Sequence, residues 1–150
     1  MTASPEAAIG FDFGTTNTVV ALERQGQARL AGFSHEGAPF NAFRSALSFH
    51  APDHDPTARV VEAGPWAIDA YVEEPLETRF IQSFKSYAAS PLFTDTEILR
   101  RRFTFEDLLS AFLLKLREHG GADLADLPKR VIVGRPVAFA GLRPDPKLAL

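Results

Sequence analysis

A mixed α/β fold is what this sequence predicts, and three observations predict it. Ile9, Phe11 and Phe13 alternate with Gly10 and Asp12, then lead through a Gly-Thr-Thr turn into the β-branched run Thr18 to Glu23. Phe105, Leu108, Leu109, Phe112 and Leu116 recur at helical spacing. A compact run, Arg130-Val131-Ile132-Val133-Gly134, follows that long helix, an order that suggests a crossover and a mixed sheet.

Each element has its own local reason. Ala8 to Phe13 has period-two patterning and reads as a strand, and Gly14-Thr15-Thr16-Asn17 is a turn cluster that leads to the second strand. Gln25-Gly26 offers another turn and Ala28 to Phe33 a third extended stretch, so the first 33 residues read as a three-stranded antiparallel meander. Between Ser34 and Pro65, five Gly or Pro residues separate short apolar pieces such as Ala46 to Phe49 and Val60-Val61. Short strands and loops, an excursion from the main sheet, are expected there. Pro65 suits a first helical position, and a short helix runs from it to Val72 before Pro75. Phe80, Ile81, Phe84, Tyr87 and Ala88 are spaced for one face of another short helix, which Pro91 closes. Thr104-Phe105-Glu106-Asp107 has the form of a capping box worth about 1 kcal/mol, and Gly120-Gly121 stops the long helix.

Composition narrows the function classes. A chain of 150 residues, 45% hydrophobic and 23% charged, is of a size to bury ~70% of its unfolded surface as one globular unit. Its net charge of −3 supplies no basic field for nucleic acid or an acidic membrane, so neither partner is expected. With no Cys, disulfide scaffolds, thiolate zinc sites and cysteine nucleophiles are excluded. No apolar run approaches the ~18 residues of a membrane span, the first ten residues carry an acid and no base, and a cytoplasmic location without signal peptide is expected. Thirteen of the sixteen aromatic residues are Phe, which favours dry packing surfaces.

The chemistry concentrates at Ile9-Gly10-Phe11-Asp12-Phe13-Gly14-Thr15-Thr16-Asn17. Gly14 lets the backbone approach an anion, the turn amides can point into one concavity, and two hydroxyls add donors for phosphate oxygens. A carboxylate beside such a cradle repels a bare phosphate unless a hydrated Mg²⁺ ion stands between them, which suits Asp12 to the magnesium side. The same residue types also serve a plain hairpin turn. No Gly-Lys-Ser or Gly-Lys-Thr follows, and the turn leads into a strand, so neither a P-loop nor a dinucleotide fingerprint is present.

Asp-Phe-Gly-Thr-Thr-Asn resembles the first phosphate motif, Asp-x-Gly-Thr-Thr, of the actin, hexokinase and heat-shock-chaperone ATPase superfamily. With Phe84-Lys85-Ser86-Tyr87 and Gly134-Arg135-Pro136-Val137-Ala138-Phe139, the chain looks most like the DnaK-type chaperones, in particular their YegD-like branch, from about Ile9 to Leu142. The resemblance implies a ribonuclease-H-like, actin-type ATPase lobe with an inserted subdomain at about 34–103. It implies ATP and Mg²⁺ as cofactors, ATP hydrolysis, and unfolded client proteins and a co-chaperone as partners of the complete protein. It assigns Asp12 to Mg²⁺ through water, and Gly14, Thr15, Thr16 and the Asn17 backbone to the β and γ phosphates. Family members often carry an aromatic residue where Asn17 stands. Lys85 aligns with the lysine that orients the attacking water, although the usual Lys-Arg pair is Lys85-Ser86 here. Pro136 aligns with a proline that relays nucleotide state to the outer surface, where the family has Val-Pro-Ala-x-Phe.

Other constellations carry less. His50, Asp53, His54 and Asp55 have metal-donor chemistry, but two prolines mark the stretch as a polar loop. Arg100-Arg101-Arg102 precedes a helix cap without regular aromatic interleaving and reads as a solvated face. Arg143 has the wrong spacing for the family's relay arginine. A sugar or small-metabolite kinase of the same superfamily, and a non-catalytic interaction module with the same fold, are the two alternative functions. The superfamily binds ATP between two lobes, so the 150 residues are expected to be the first lobe, with the second lobe absent and Lys147 to Leu150 the first turn of a helix. Weak ATP binding by this piece alone is the corresponding expectation.

Overall fold

The computed structural model describes residues 7–52, 54–55 and 58–134. Pro136, Arg143 and the stretch from Lys147 to Leu150 lie outside the described residues, as does Asp53.

The fold is mixed α/β. Strands β1 (Ala8–Phe13) and β2 (Asn17–Arg24) form the expected hairpin, with Phe13 opposite Thr18. Strand β3 (Gln27–Leu30) completes the antiparallel meander. Gln25 and Gly26 take φ of 55° and 79°, the positive pair that matches a two-residue turn to the right-handed twist of its strands. The third extended stretch is shorter than expected. It breaks at Ala31-Gly32, after which β4 (Phe33–His35) pairs instead with β5 (Ala38–Phe40) across Glu36-Gly37.

Strand β6 (Ala42–Arg44) returns to β2, with Asn17 opposite Arg44, and makes the main sheet five-stranded. Then come β7 (Ala46–His50), β8 (Val60–Ala63), helix α1 (Pro65–Glu73) and β9 (Arg79–Gln82), with β7 in the middle of a second, three-stranded sheet. This corrects the helix expected from Phe80 onward. Pairing of Leu47 with Ile81 satisfies the free edge of β7 and buries Ile81, and that gain outweighs the helical spacing. Helix is confined to α2 (Lys85–Ala89).

Strands β10 (Thr96–Ile98) and β11 (Arg101–Phe103) form a hairpin over Leu99-Arg100, both with positive φ. Helix α3 (Phe105–His119) has the expected capping box: the Asp107 amide donates to Thr104 Oγ1 at 3.3 Å, and the Thr104 amide to the Asp107 carboxylate at 3.0 Å. The long helix stops at Gly120-Gly121 as expected, with Gly120 its C-cap, and a separate short helix, α4 (Gly121–Ala125), follows from φ of 50° at Gly121. Strand β12 (Arg130–Val133) then lies parallel to β1, with Ile9 opposite Val131, as a crossover through α3 requires.

One core joins these pieces, running from Ile9, Val20 and Leu22 through Phe43 and Phe49 to Phe112 and Leu116. The Phe43 ring, fully buried, contacts the rings of Phe33, Phe40, Trp66, Phe112 and His119. Trp66, the sole tryptophan, lies flat on His119, centroids 3.5 Å apart at 6°, while His35 meets it edge-on at 4.8 Å. His119 Nε2 is 3.0 Å from the Glu62 carboxylate, and His35 Nε2 is 2.6 Å from that of Asp69. Burial disfavours charge on Lys115, but Glu118 and Glu62 outweigh it and hold its pKa above the usual lysine value.

Arg29 and Asp123 strap β3 to α4 through two bonds of 2.7 Å, and the Gly32 amide donates to the same carboxylate at 3.0 Å. The Arg29 hydrogen bond, then the Gly32 amide, lower the Asp123 pKa to about 2. Among the described residues, no helix is long and apolar enough to cross a membrane.

Candidate functional site

The carboxyl ends of parallel strands β1 and β12 lie side by side, because the Gly134 amide donates to the Phe11 carbonyl at 2.8 Å. That end of an open α/β sheet is where such folds place ligands. Asp12 stands there, exposed, and among the described residues its carboxylate makes no hydrogen bond or ion pair. A Cβ at Gly134 would sit 3.8 Å from Asp12 Oδ1, so Gly134 flanks the carboxylate and leaves space beside it.

The turn after β1 is closed by the Gly14 amide, which donates to the Asn17 carbonyl at 3.0 Å. A Cβ at Gly14 would collide with that carbonyl oxygen, so glycine is required by close approach. The Gly14 amide is therefore spent on the turn. Thr16 holds the rim from the other side, accepting the Ser45 amide on its carbonyl at 2.8 Å, while Thr18 Oγ1 and Ser45 Oγ meet at 2.9 Å in a fully buried pair. Thr15, Thr16 and Asn17 are exposed, and neither the amides nor the hydroxyls of Thr15 and Thr16 hydrogen-bond among the described residues. Two amides and two hydroxyls thus remain available to an anion.

Lys85, 72 residues away, reaches the same place. It opens α2, donates to the Phe13 carbonyl and lies over the Phe13 ring, 5.6 Å from its centroid. Below it the rings of Phe13, Phe84 and Phe112 pack together at 5.4 to 5.8 Å. The structure brings Asp12, Gly14, Thr15, Thr16, Asn17 and Lys85 to one mouth of the sheet, and Pro136 lies outside the described residues.

The Lys85 ammonium sits at Phe13, between Asp12 and the Gly14 turn in sequence, so a cation, a donor-rich turn and a carboxylate, the groups that suit a polyanion and its counter-ion, cluster at the end of β1. Among the described residues no group of three His, Cys, Asp or Glu is placed to hold a metal. A magnesium ion carried on phosphate oxygens and met through water by one carboxylate asks for no such group, and Asp12, whose carboxylate has no partner among the described residues, fits that requirement. Sequence reading missed Gly134 and Phe13. A glycine closing a β-branched run was the available signal for the first, while the fold alone shows the second under Lys85.

The weaker constellations resolve. Arg102 pairs with Asp95 at 3.2 Å and Arg101 lies over Phe103, so the arginine run forms a hairpin's solvated edge. Asp55 accepts the Ala58 amide at 3.2 Å, a loop contact. No family model matches the chain.

Proposed function

We propose that these residues form the first phosphate-binding lobe of an actin-type ATPase, and that the complete protein is an ATP-hydrolysing chaperone of the DnaK type. The observation that carries the reading is the meeting of Lys85 with the Asp12-to-Asn17 turn at the carboxyl ends of parallel strands. ATP and Mg²⁺ are the cofactors in this reading, and client proteins and a co-chaperone its further partners.

Thr15 and Thr16 would receive phosphate oxygens, Asp12 would hold the magnesium waters, and Lys85 would face the terminal phosphate. A bound magnesium ion supplies charge neutralisation on the phosphates. The chain's own contribution is positioning: Gly14 closes the turn, Ser45 steadies Thr16, and the aromatic cluster carries Lys85. Removal of one positioned charge from a phosphoryl-transfer site costs roughly 100-fold or more in turnover. Asp12→Asn and Lys85→Ala in the complete protein are each expected to lower Mg·ATP turnover by about that factor. Undiminished turnover in both would sink the assignment. The opposite wall of the cleft is assigned to sequence outside these residues, so calorimetry of the 150-residue chain should show weak or undetectable Mg·ATP binding.

A further inference from the structure

We infer that Phe13 is a positioning residue for Lys85, a role that rests on the phosphate-site reading above. Three observations converge on it. The Phe13 carbonyl accepts from Lys85 Nζ, and the Phe13 ring lies under the same ammonium at 5.6 Å. The ring packs against those of Phe84, at 5.4 Å, and Phe112, at 5.8 Å. Phe84 and Phe112 are fully buried, and Phe84 directly precedes Lys85 at the start of α2.

A lysine side chain has four rotatable carbons and much rotamer entropy to lose when it is fixed. An aromatic face attracts its charge without fixing its direction, so the ammonium can slide from the carbonyl toward an arriving phosphate while staying over the ring. An aliphatic residue in the same place keeps the carbonyl and loses that track. Phe13 thus does two things at once: the backbone parks the lysine, and the ring keeps it at the mouth when it leaves the carbonyl.

Site-resolved acylation of lysines by an amine-reactive reagent, read by peptide mass spectrometry and normalised to Lys129, tests this in the 150-residue chain. Acylation needs the nitrogen free of its partners. Phe13→Leu is expected to speed Lys85 modification about two- to fivefold, the range of an exposed cation–π contact, and Phe13→Tyr to restore the original rate. Phe49→Leu, a fully buried ring packed on Phe103, loosens the core elsewhere and should leave Lys85 near its original rate. Equal Lys85 rates in the parent chain and Phe13→Leu would overturn the proposal, as would an equal acceleration by Phe49→Leu. Turnover of the complete protein separates the two readings. A positioning role lowers kcat in Phe13→Leu with KM for ATP nearly unchanged. Faster acylation in Phe13→Leu beside unchanged turnover in Lys85→Ala would refute the phosphate-site reading and leave the hold on Lys85 standing.

Discussion

Replacing Gly64 with alanine should be among the most damaging single-methyl changes in this chain. Gly64 precedes α1 with φ 65° and ψ −139°, a conformation open almost only to glycine, and forcing another residue into it costs about 1–3 kcal/mol. A Cβ there would stand 2.6 Å from Phe43 Cζ and 2.7 Å from Cε1. The Phe43 ring cannot yield, since five other rings surround it, so overpacking adds about 1–3 kcal/mol. The two effects together give about 2–6 kcal/mol, a large part of the ~5–15 kcal/mol that holds a domain of this size together. Urea unfolding followed by circular dichroism measures it through the midpoint. Gly26→Ala is the internal control: its φ is 79°, but nothing lies within 4 Å, so only backbone strain of about 1 kcal/mol remains. Combining Gly64→Ala with Phe43→Leu should cost less than the two changes summed, because the leucine removes the ring that the methyl strikes. If Gly64→Ala falls within 1 kcal/mol of Gly26→Ala, the reasoning about Phe43 is wrong.

Three further outcomes are expected. Asp123 has a lowered folded-state pKa, so its contribution is complete above the ordinary carboxylate range and is lost as pH falls from about 4 toward about 2; Asp123→Asn should lower neutral-pH stability and flatten that acid limb in urea melts. Thr104→Ala removes the capping hydroxyl of α3 and should cost about 1 kcal/mol, with Thr104→Ser recovering most of it in thermal melts. Arg100→Gly relieves φ of 62° at an exposed turn position and should stabilise by about 0.5–1 kcal/mol, and a loss of stability would show that the arginine side chain matters there.

What the sequence made legible was local. The alternation of Ile9, Phe11 and Phe13 and the Gly14 turn are self-contained signals, and the hairpin and its register follow from them. Thr104 and Asp107 identify each other three residues apart, and the capping box is there. Phe80-Ile81 misled because apolar residues one and four apart satisfy a helix face and a buried strand equally well, and only the distant β7 decides. The β10–β11 hairpin gave no turn signal, since Leu99-Arg100 contains none of the residues that favour positive φ. The site divides in the same way: the turn was readable from its own residues, whereas the contact between Lys85 and Phe13 spans 72 positions.

The indole of Trp66 touches β4 through His35 and the end of α3 through His119, from its seat at the start of α1. With one tryptophan in the chain, intrinsic fluorescence is a single-site optical gauge of that three-way junction. Emission would register α3 lifting away from α1 even while far-ultraviolet dichroism stays constant. Local loosening and global unfolding can therefore be timed separately without attaching any label.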